Sequence, residues 1–125
     1  MGLIDFLSER GKRTRELLTG DAGRPSPVDL TDPDYQQLFA DFIYGGMYSR
    51  EVVPQRVREL IAVGCLTALY RPDELRSHIR MALRLTAPEE VREAILQAGV
   101  YGGFPSTMAG LRILGEVLAG SGARP

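Results

Sequence analysis

The chain has 125 residues and a formal net charge of −1. This length fits one ordinary domain, and a domain so small gains stability by burying a further face against another subunit. The hydrophobic fraction of 44% and the charged fraction of 25% are those of a soluble globular protein. The charge gives no sign of a nucleic-acid-binding surface.

Cysteine content and hydropathy together predict the location of the protein. A single cysteine, Cys65, excludes an internal disulfide. No apolar run reaches the ~20 residues of a membrane-spanning helix, and the first six residues lack the pattern of a secretory signal. The expected location is the cytoplasm, without membrane association.

Helical periodicity covers most of the chain and no strand-like alternation occurs, so the predicted fold class is all-α with about six helices. We expect a single domain over residues 1–125. Residues 1–30 would form an N-terminal helix and loop, and residues 120–125 a flexible tail. Within the first part, a charged helix is expected over residues 3–18, weakened at Gly11.

A glycine- and proline-rich loop is predicted over residues 19–31. Asp32 and Pro33 then provide the N-cap and the first residue of a second helix. That helix is expected to end at Gly45 and Gly46.

Pro54 predicts the start of a third helix. Its body, residues 60–69, is apolar on every side, which predicts burial within the subunit or between subunits. The later boundaries are expected at Pro72, at a capping box over residues 86–89, at a break over residues 101–105 and at about Leu118.

His78 is the only histidine, so any histidine chemistry in this chain depends on it. Glu74 lies four positions earlier on the same predicted helix, which places the two side chains on one face. A carboxylate beside an imidazole fixes the orientation of the ring and suits it to proton transfer near neutral pH. The alternative is an exposed pair that only supports the helix, and spacing alone favours that alternative slightly.

Glu59 stands at the entrance to the apolar third helix, where Thr67 is the only polar side chain in the next ten residues. A carboxylate in this position must reach solvent or find a partner. Its alternative role is a favourable interaction with the N-terminal end of the helix dipole.

Basic and hydroxyl side chains complete the set of candidates. Most of the arginines near His78 are expected to be solvated or paired, while one or two hold a substrate carboxylate. Tyr101 precedes two glycines and offers a hydroxyl, although a plain turn between helices explains the same residues. One histidine, one cysteine and scattered acids form no metal-ligand pattern, so no metal or other cofactor is expected. The arginines near His78 that are considered for this role are Arg71, Arg76, Arg80 and Arg84.

Four segments stand in a definite order along the chain, at residues 58–61, 71–80, 89–94 and 101–105. Their order and spacing resemble the carboxymuconolactone decarboxylase family across nearly the whole chain. The resemblance implies the helical fold of the related alkylhydroperoxidase D proteins and the cofactor-free decarboxylation of a lactone acid such as 4-carboxymuconolactone. It also implies a homo-oligomer, either a hexamer or a trimer, with sites near subunit contacts.

Alkylhydroperoxidase D proteins carry a Cys-x-x-Cys motif, a histidine four residues later and a glutamate on the preceding helix. With that histidine aligned on His78, the cysteine positions fall on Arg71 and Glu74 and the glutamate falls on Glu59. Cys65 lies at neither cysteine position, so a dithiol peroxidase is argued against. The resemblance leaves an acid/base set of Glu59, Glu74 and His78.

Decarboxylation of a lactone acid sends the electrons left by CO2 toward the lactone carbonyl, and carbon must then receive a proton. The site needs a cation for the carboxylate, a donor for the developing enolate and a general acid. The roles implied are His78 as general acid/base, Glu59 and Glu74 as its supports, Arg71 or Arg80 as the carboxylate anchor and Tyr101 as the enolate donor.

Three other functions stay open at this point. The first is a tailoring enzyme that transfers protons on a larger polycyclic or keto-acid metabolite. Residues 85–88 favour this possibility, because they lack the Asn-Gly turn usual in the family and form a shorter loop. The second is a non-catalytic oligomeric binding protein, and the third a peroxidase that relies on Cys65 alone.

Overall fold

The computed structural model describes residues 1–120, which contain six α-helices and no β-strand. The predicted all-α class is therefore confirmed. No helix within these residues combines the length and the apolar character needed to cross a membrane. The helices are α1 (Glu9–Thr19), α2 (Pro33–Phe39), α3 (Gln55–Ala68), α4 (Pro72–Leu85), α5 (Pro88–Gly102) and α6 (Phe104–Gly120).

The chain forms two compact units, one over Met1–Val53 and the other from Pro54 onward. This division into units does not decide how many domains the chain has, so the single domain expected over residues 1–125 stays a prediction. The predicted start of the flexible tail at residue 120 is wrong, because Gly120 is the last residue of α6. The rest of that tail, residues 121–125, lies outside the described residues.

The first unit begins with two elements where one helix was predicted. Leu3–Phe6 forms a short 3-10 helix, and α1 starts only after Ser8. The hydroxyl of Ser8 accepts a hydrogen bond from the backbone N–H of Gly11 at 3.0 Å, which caps the new helix. The single helix over residues 3–18 is wrong because this N-cap interrupts it.

A second 3-10 helix, Pro27–Leu30, lies within the predicted loop. The carboxylate of Asp29 links it by a hydrogen bond to the start of the chain. The backbone N–H of Leu3 donates to its Oδ1 at 2.7 Å, and the N–H of Ser26 donates to Oδ2 at 2.9 Å. The hydrogen bonds from Ser26 and Leu3 lower the pKa of Asp29.

The start and end predicted for the second helix are confirmed. Asp32 caps α2 by accepting a hydrogen bond from the N–H of Tyr35 at 2.9 Å. The helix continues into a π-helical turn, Ala40–Tyr44, and stops before Gly46. A Cβ at Gly46 would lie 2.4 Å from a backbone oxygen, so only glycine fits there.

The second unit packs α3, α4, α5 and α6 around one apolar core. Pro54 precedes α3 as its N-cap, as predicted. The core is drawn from all four helices because each contributes a face of branched side chains at helical spacing. Fully buried members include Val63, Ile79, Val91, Ile95 and Ile113.

Helix α3 is not buried on every side within this chain. Val63 and Thr67 face the core, whereas Ile61 is 57% exposed and Cys65 is also exposed. Burial of the whole helix within the subunit is therefore wrong. Burial of its outer side between subunits stays a prediction.

Two boundaries in the second unit differ in detail from those predicted. Thr86 ends α4 and its hydroxyl donates to Glu90, so the capping box over residues 86–89 is not formed. The break predicted over residues 101–105 is confined to Gly103, which lies between the last residue of α5 and the first residue of α6. Its φ of 92° lies in the region that favours glycine.

We expect Asp29→Asn to lower the free energy of unfolding by about 1–2 kcal/mol at neutral pH, because an amide cannot replace both charge-assisted bonds. The pKa of Asp29 is lowered in the folded state, so its contribution is complete above the unfolded value, about 3.9, and is lost as pH falls through the folded value. Urea denaturation of both proteins, repeated from neutral to acidic pH, measures whether their free energies of unfolding become equal as the pH falls.

Asp34→Asn, at an exposed position of α2, is the matched control. A stability difference between Asp29→Asn and the parent that stayed constant down to strongly acidic pH would contradict the assigned role of the carboxylate.

Candidate active site

The structure brings Glu59 and His78 together from different helices. Glu59 lies in the second turn of α3 and His78 lies in the middle of α4. Nδ1 of His78 is 2.8 Å from Oε2 of Glu59, a normal hydrogen-bond distance. The contact depends on the packing of α3 against α4, through which two residues 19 positions apart meet.

The two partners of this pair differ in burial. Glu59 is fully buried, whereas the side chain of His78 is 24% exposed. Oε1 of Glu59 is also buried and has no hydrogen-bond partner within residues 1–120. An unsatisfied buried oxygen costs about 1–3 kcal/mol, so this carboxylate is placed at some cost to stability. Such a placement is typical of a functional residue.

The hydrogen bond determines which ring nitrogen is available for chemistry. An ionised Glu59 only accepts hydrogen bonds, so Nδ1 of His78 carries the donated proton. The other nitrogen, Nε2, has no hydrogen-bond partner among the described residues. Because the ring is partly exposed, Nε2 is the atom that can exchange a proton with a bound molecule.

Glu74 does not form the contact predicted from its spacing. It lies in the first turn of α4, is exposed, and makes no hydrogen bond or ion pair with His78. The i,i+4 spacing places both residues on one side of α4, but the ring turns toward α3 and its buried carboxylate. A catalytic role for Glu74 therefore stays a prediction.

Arg71 and Arg80 are both exposed, and neither forms an ion pair within residues 1–120. A guanidinium of Arg71 donates to the carbonyl of Leu69 at 2.9 Å. Arg76, in contrast, is already paired with Glu116 at 2.6 Å, a hydrogen bond that lowers the pKa of Glu116. Of these three arginines, Arg71 and Arg80 retain a charge available for a substrate carboxylate.

Tyr101 lies on a different surface of the second unit from the Glu59–His78 pair. It is 83% exposed and borders a groove of about 460 Å³ between α3 and α5, which Cys65 also lines. Neither Glu59 nor His78 lines this groove. Within one chain, Tyr101 and Cys65 are therefore not part of the acid/base pair.

The signal for the pair was present in the register of α3. Glu59, Val63 and Thr67 follow at intervals of four, so all three face the core. A carboxylate in such a row needs an interior partner, and the histidine on the next helix is the natural candidate.

Among the described residues, no three His, Cys, Asp or Glu side chains are grouped as a metal site would require.

Comparison with known proteins assigns the chain to a family. The model of the carboxymuconolactone decarboxylase family matches residues 33–116. The chain belongs to this family. The matched range includes both members of the acid/base pair and all of α3, α4 and α5, which confirms the resemblance inferred from the sequence.

Three relatives are similar to parts of this chain. A 4-carboxymuconolactone decarboxylase from Acinetobacter baylyi is 33% identical over 93 residues, covering 74% of this chain and 69% of that protein. A nitrosuccinic acid decarboxylase from Metarhizium robertsii is 33% identical over 72 residues, covering 57% and 50%. An uncharacterized 15.0 kDa protein from Paracoccus denitrificans is 34% identical over 80 residues, covering 61% and 59%. The alignments thus span one half to about two thirds of these relatives.

The unequal burial of the pair predicts unequal effects of removing each partner. Glu59→Leu removes a buried charge and leaves the ring of His78 able to bond to water, so the free energy of unfolding should stay within about 1 kcal/mol of the parent or rise. His78→Leu leaves the carboxylate buried without the one hydrogen-bond partner it has among residues 1–120 and should cost about 3–5 kcal/mol. Urea denaturation at neutral pH measures both, and equal losses would contradict the burial described here.

Proposed function

We propose that this protein is a cofactor-free carboxy-lyase that acts on a small carboxylated lactone such as 4-carboxymuconolactone. The observation that carries the proposal is the hydrogen bond between Glu59 and His78 in a chain of the carboxymuconolactone decarboxylase family. The named activity of the Acinetobacter baylyi relative supports this choice of substrate.

The proposed reaction breaks one carbon–carbon bond and forms one carbon–hydrogen bond. The bond between the substrate and its carboxylate carbon breaks, CO2 leaves, and the electron pair moves into the ring toward the lactone carbonyl. Carbon then takes a proton from Nε2 of protonated His78, and water returns a proton to the ring. Overall the reaction consumes one proton and requires no redox step.

Glu59 serves this reaction by holding the ring in place. Its carboxylate accepts a hydrogen bond from Nδ1–H whether the ring is neutral or charged, so the imidazole keeps one orientation while Nε2 gives up and regains a proton. A ring fixed in this way needs little reorganisation when substrate arrives. We therefore assign Glu59 as a positioning residue and His78 as the general acid.

The remaining assignments concern the charge of the substrate. Arg71 or Arg80 would anchor a carboxylate, since both are exposed and without an acidic partner in the described part of the chain. Tyr101 as enolate donor lies apart from the pair within one chain. That role therefore needs a Tyr101 from a second copy, which fits the homo-oligomer that the family resemblance implies.

A second substrate type is favoured by the relative from Metarhizium robertsii, whose name describes decarboxylation of nitrosuccinic acid. In that compound a nitro group can accept the electrons that CO2 leaves, as the lactone carbonyl does in carboxymuconolactone. Both reactions need a proton delivered to carbon. The acid/base pair therefore suits small acids with an electron-accepting group beside the departing carboxylate, and larger keto acids are a further case.

We expect the protein to decarboxylate 4-carboxymuconolactone, with His78→Gln lowering kcat by about 10²–10⁴-fold because it removes the proton donor. Glutamine keeps an N–H that can donate to Glu59, so the fold should survive. Optical measurement of substrate loss, with circular dichroism on the same samples, gives both quantities.

Asp73→Asn, at an exposed position one residue before Glu74, is the control and should retain the parent kcat. Glu74→Gln tests the role predicted for that carboxylate, and only a fall in kcat near that expected for His78→Gln would support it. If a folded parent protein turns over neither the lactone nor nitrosuccinic acid, the small-acid proposal fails. Turnover of a larger keto acid would then identify a tailoring enzyme.

The KM values of Arg71→Gln and Arg80→Gln should show which of the two arginines binds the substrate carboxylate. Loss of a charge-assisted hydrogen bond to the carboxylate is worth about 1.5–3 kcal/mol, which corresponds to roughly a 10- to 100-fold rise in KM. The variant of the anchoring arginine should show this rise with little change in stability. Arg84→Gln, exposed on the last turn of α4, is the control, and an equal rise in all three would argue against a specific anchor.

A further inference from the structure

The Glu59–His78 pair determines which ring nitrogen acts as a base when the imidazole is neutral. Nδ1 of His78 lies 2.8 Å from Oε2 of Glu59 and donates to it. Glu59 is fully buried and its Oε1 has no hydrogen-bond partner within residues 1–120, so losing the bond from Nδ1 would leave the carboxylate unsatisfied in this part of the chain. Neutral His78 therefore keeps its proton on Nδ1 and its lone pair on Nε2.

This arrangement gives Nε2 two roles in turn. When the ring is charged, Nε2 carries a proton that it can deliver to carbon. Once that proton is delivered, the same nitrogen is a base beside the carbon–hydrogen bond that has just formed. Glu74 is exposed and makes no hydrogen bond or ion pair with His78, so the pair itself offers Nε2 for both steps.

Loss of CO2 and protonation of carbon differ in how readily they are reversed. The CO2 diffuses away, whereas the new carbon–hydrogen bond stays beside Nε2 for as long as the product is bound. A proton transfer passes through the same transition state in both directions, so a site that speeds the delivery of a proton to carbon also speeds its removal. The removal requires an electron-accepting group beside that carbon, and it requires no carboxylate.

The burial of Glu59 and the partial exposure of His78 both suit a cycle of removal and return. Taking a proton from carbon leaves a positive ring, and the buried carboxylate 2.8 Å away is its counter-ion. The side chain of His78 is 24% exposed, so water can replace the proton on Nε2 while Nδ1 stays bonded to Glu59. A hydrogen from water can then enter the bound molecule.

We propose that this site has a second activity, the exchange of one carbon-bound hydrogen of an unsaturated lactone with water. The carbon–hydrogen bond breaks, its electron pair moves into the ring toward the lactone carbonyl, and an N–H bond forms at Nε2. Water replaces that proton, and a new carbon–hydrogen bond forms at the same carbon, so water is the only co-reactant and no redox step occurs. The choice of lactone rests on the proposed function, but the exchange itself needs no departing carboxylate.

Exchange at a fixed imidazole should be selective for one of two hydrogens. The carbon that receives the proton is a CH2 group in the unsaturated lactone that 4-carboxymuconolactone becomes on losing CO2. The hydrogen bond to Glu59 holds the imidazole in one orientation, so Nε2 reaches one face of a lactone that is itself bound in one orientation. Base in free solution removes both hydrogens alike.

The test follows this unsaturated lactone in D2O by proton NMR, with and without the protein. The parent should exchange hydrogen at least about 10²-fold faster than buffer alone, and the CH2 signal should fall to one half and stop there. His78→Gln should lower the rate of exchange by about 10²–10⁴-fold, with the fold checked by circular dichroism. Asp73→Asn, at an exposed position of α4, is the control and should exchange like the parent.

The exchange and the decarboxylation are measured separately, so each can fail alone. A parent that decarboxylates 4-carboxymuconolactone but exchanges no hydrogen overturns the second activity and leaves the carboxy-lyase in place. Selective exchange without decarboxylation supports the second activity and contradicts the carboxy-lyase. Equal exchange of both hydrogens, exchange that a folded His78→Gln protein retains, or a parent inactive in both assays overturns the second activity.

Discussion

The hydrogen bond between buried Glu59 and partly exposed His78 joins α3 to α4 in the second unit. It requires α3 and α4 to pack with Glu59 inside, where one carboxylate oxygen has no partner within residues 1–120. A leucine at position 59 would remove that cost. The core of Val63, Ile79, Val91 and its neighbours offsets the cost, which is why the pair can be held in one geometry.

Helix α3 has a buried side and an exposed side. Glu59, Val63 and Thr67 lie on its inner side, whereas Ile61 and Cys65 lie on its outer side and line an apolar groove. An apolar sequence on every side is therefore consistent with a helix that is half buried by its own chain. Burial of the outer half between subunits, which the small size of the domain favours, stays a prediction.

Most of the helical fold could be predicted from local patterns. Asp32 and Pro54 fixed two helix starts, because an N-cap and a helix-opening proline act through neighbouring residues. The errors also have local causes: Ser8 divides the first helix, and Thr86 bonds to Glu90 rather than forming the predicted box. Spacing along α4 alone predicted Glu74 as the partner of His78. The buried row of Glu59, Val63 and Thr67 on α3 carried the signal for Glu59, which tertiary packing brings to the ring.

The two named decarboxylase relatives differ in substrate but share a requirement for a proton at carbon. In the proposed reaction, a buried carboxylate that orients one imidazole meets this requirement without contacting the rest of the substrate. Selectivity must then come from side chains outside the pair, and exposed residues such as Arg71 and Arg80 can change without disturbing the core. The proposed function thus assigns the proton transfer to the Glu59–His78 pair and the choice of acid to the residues around it.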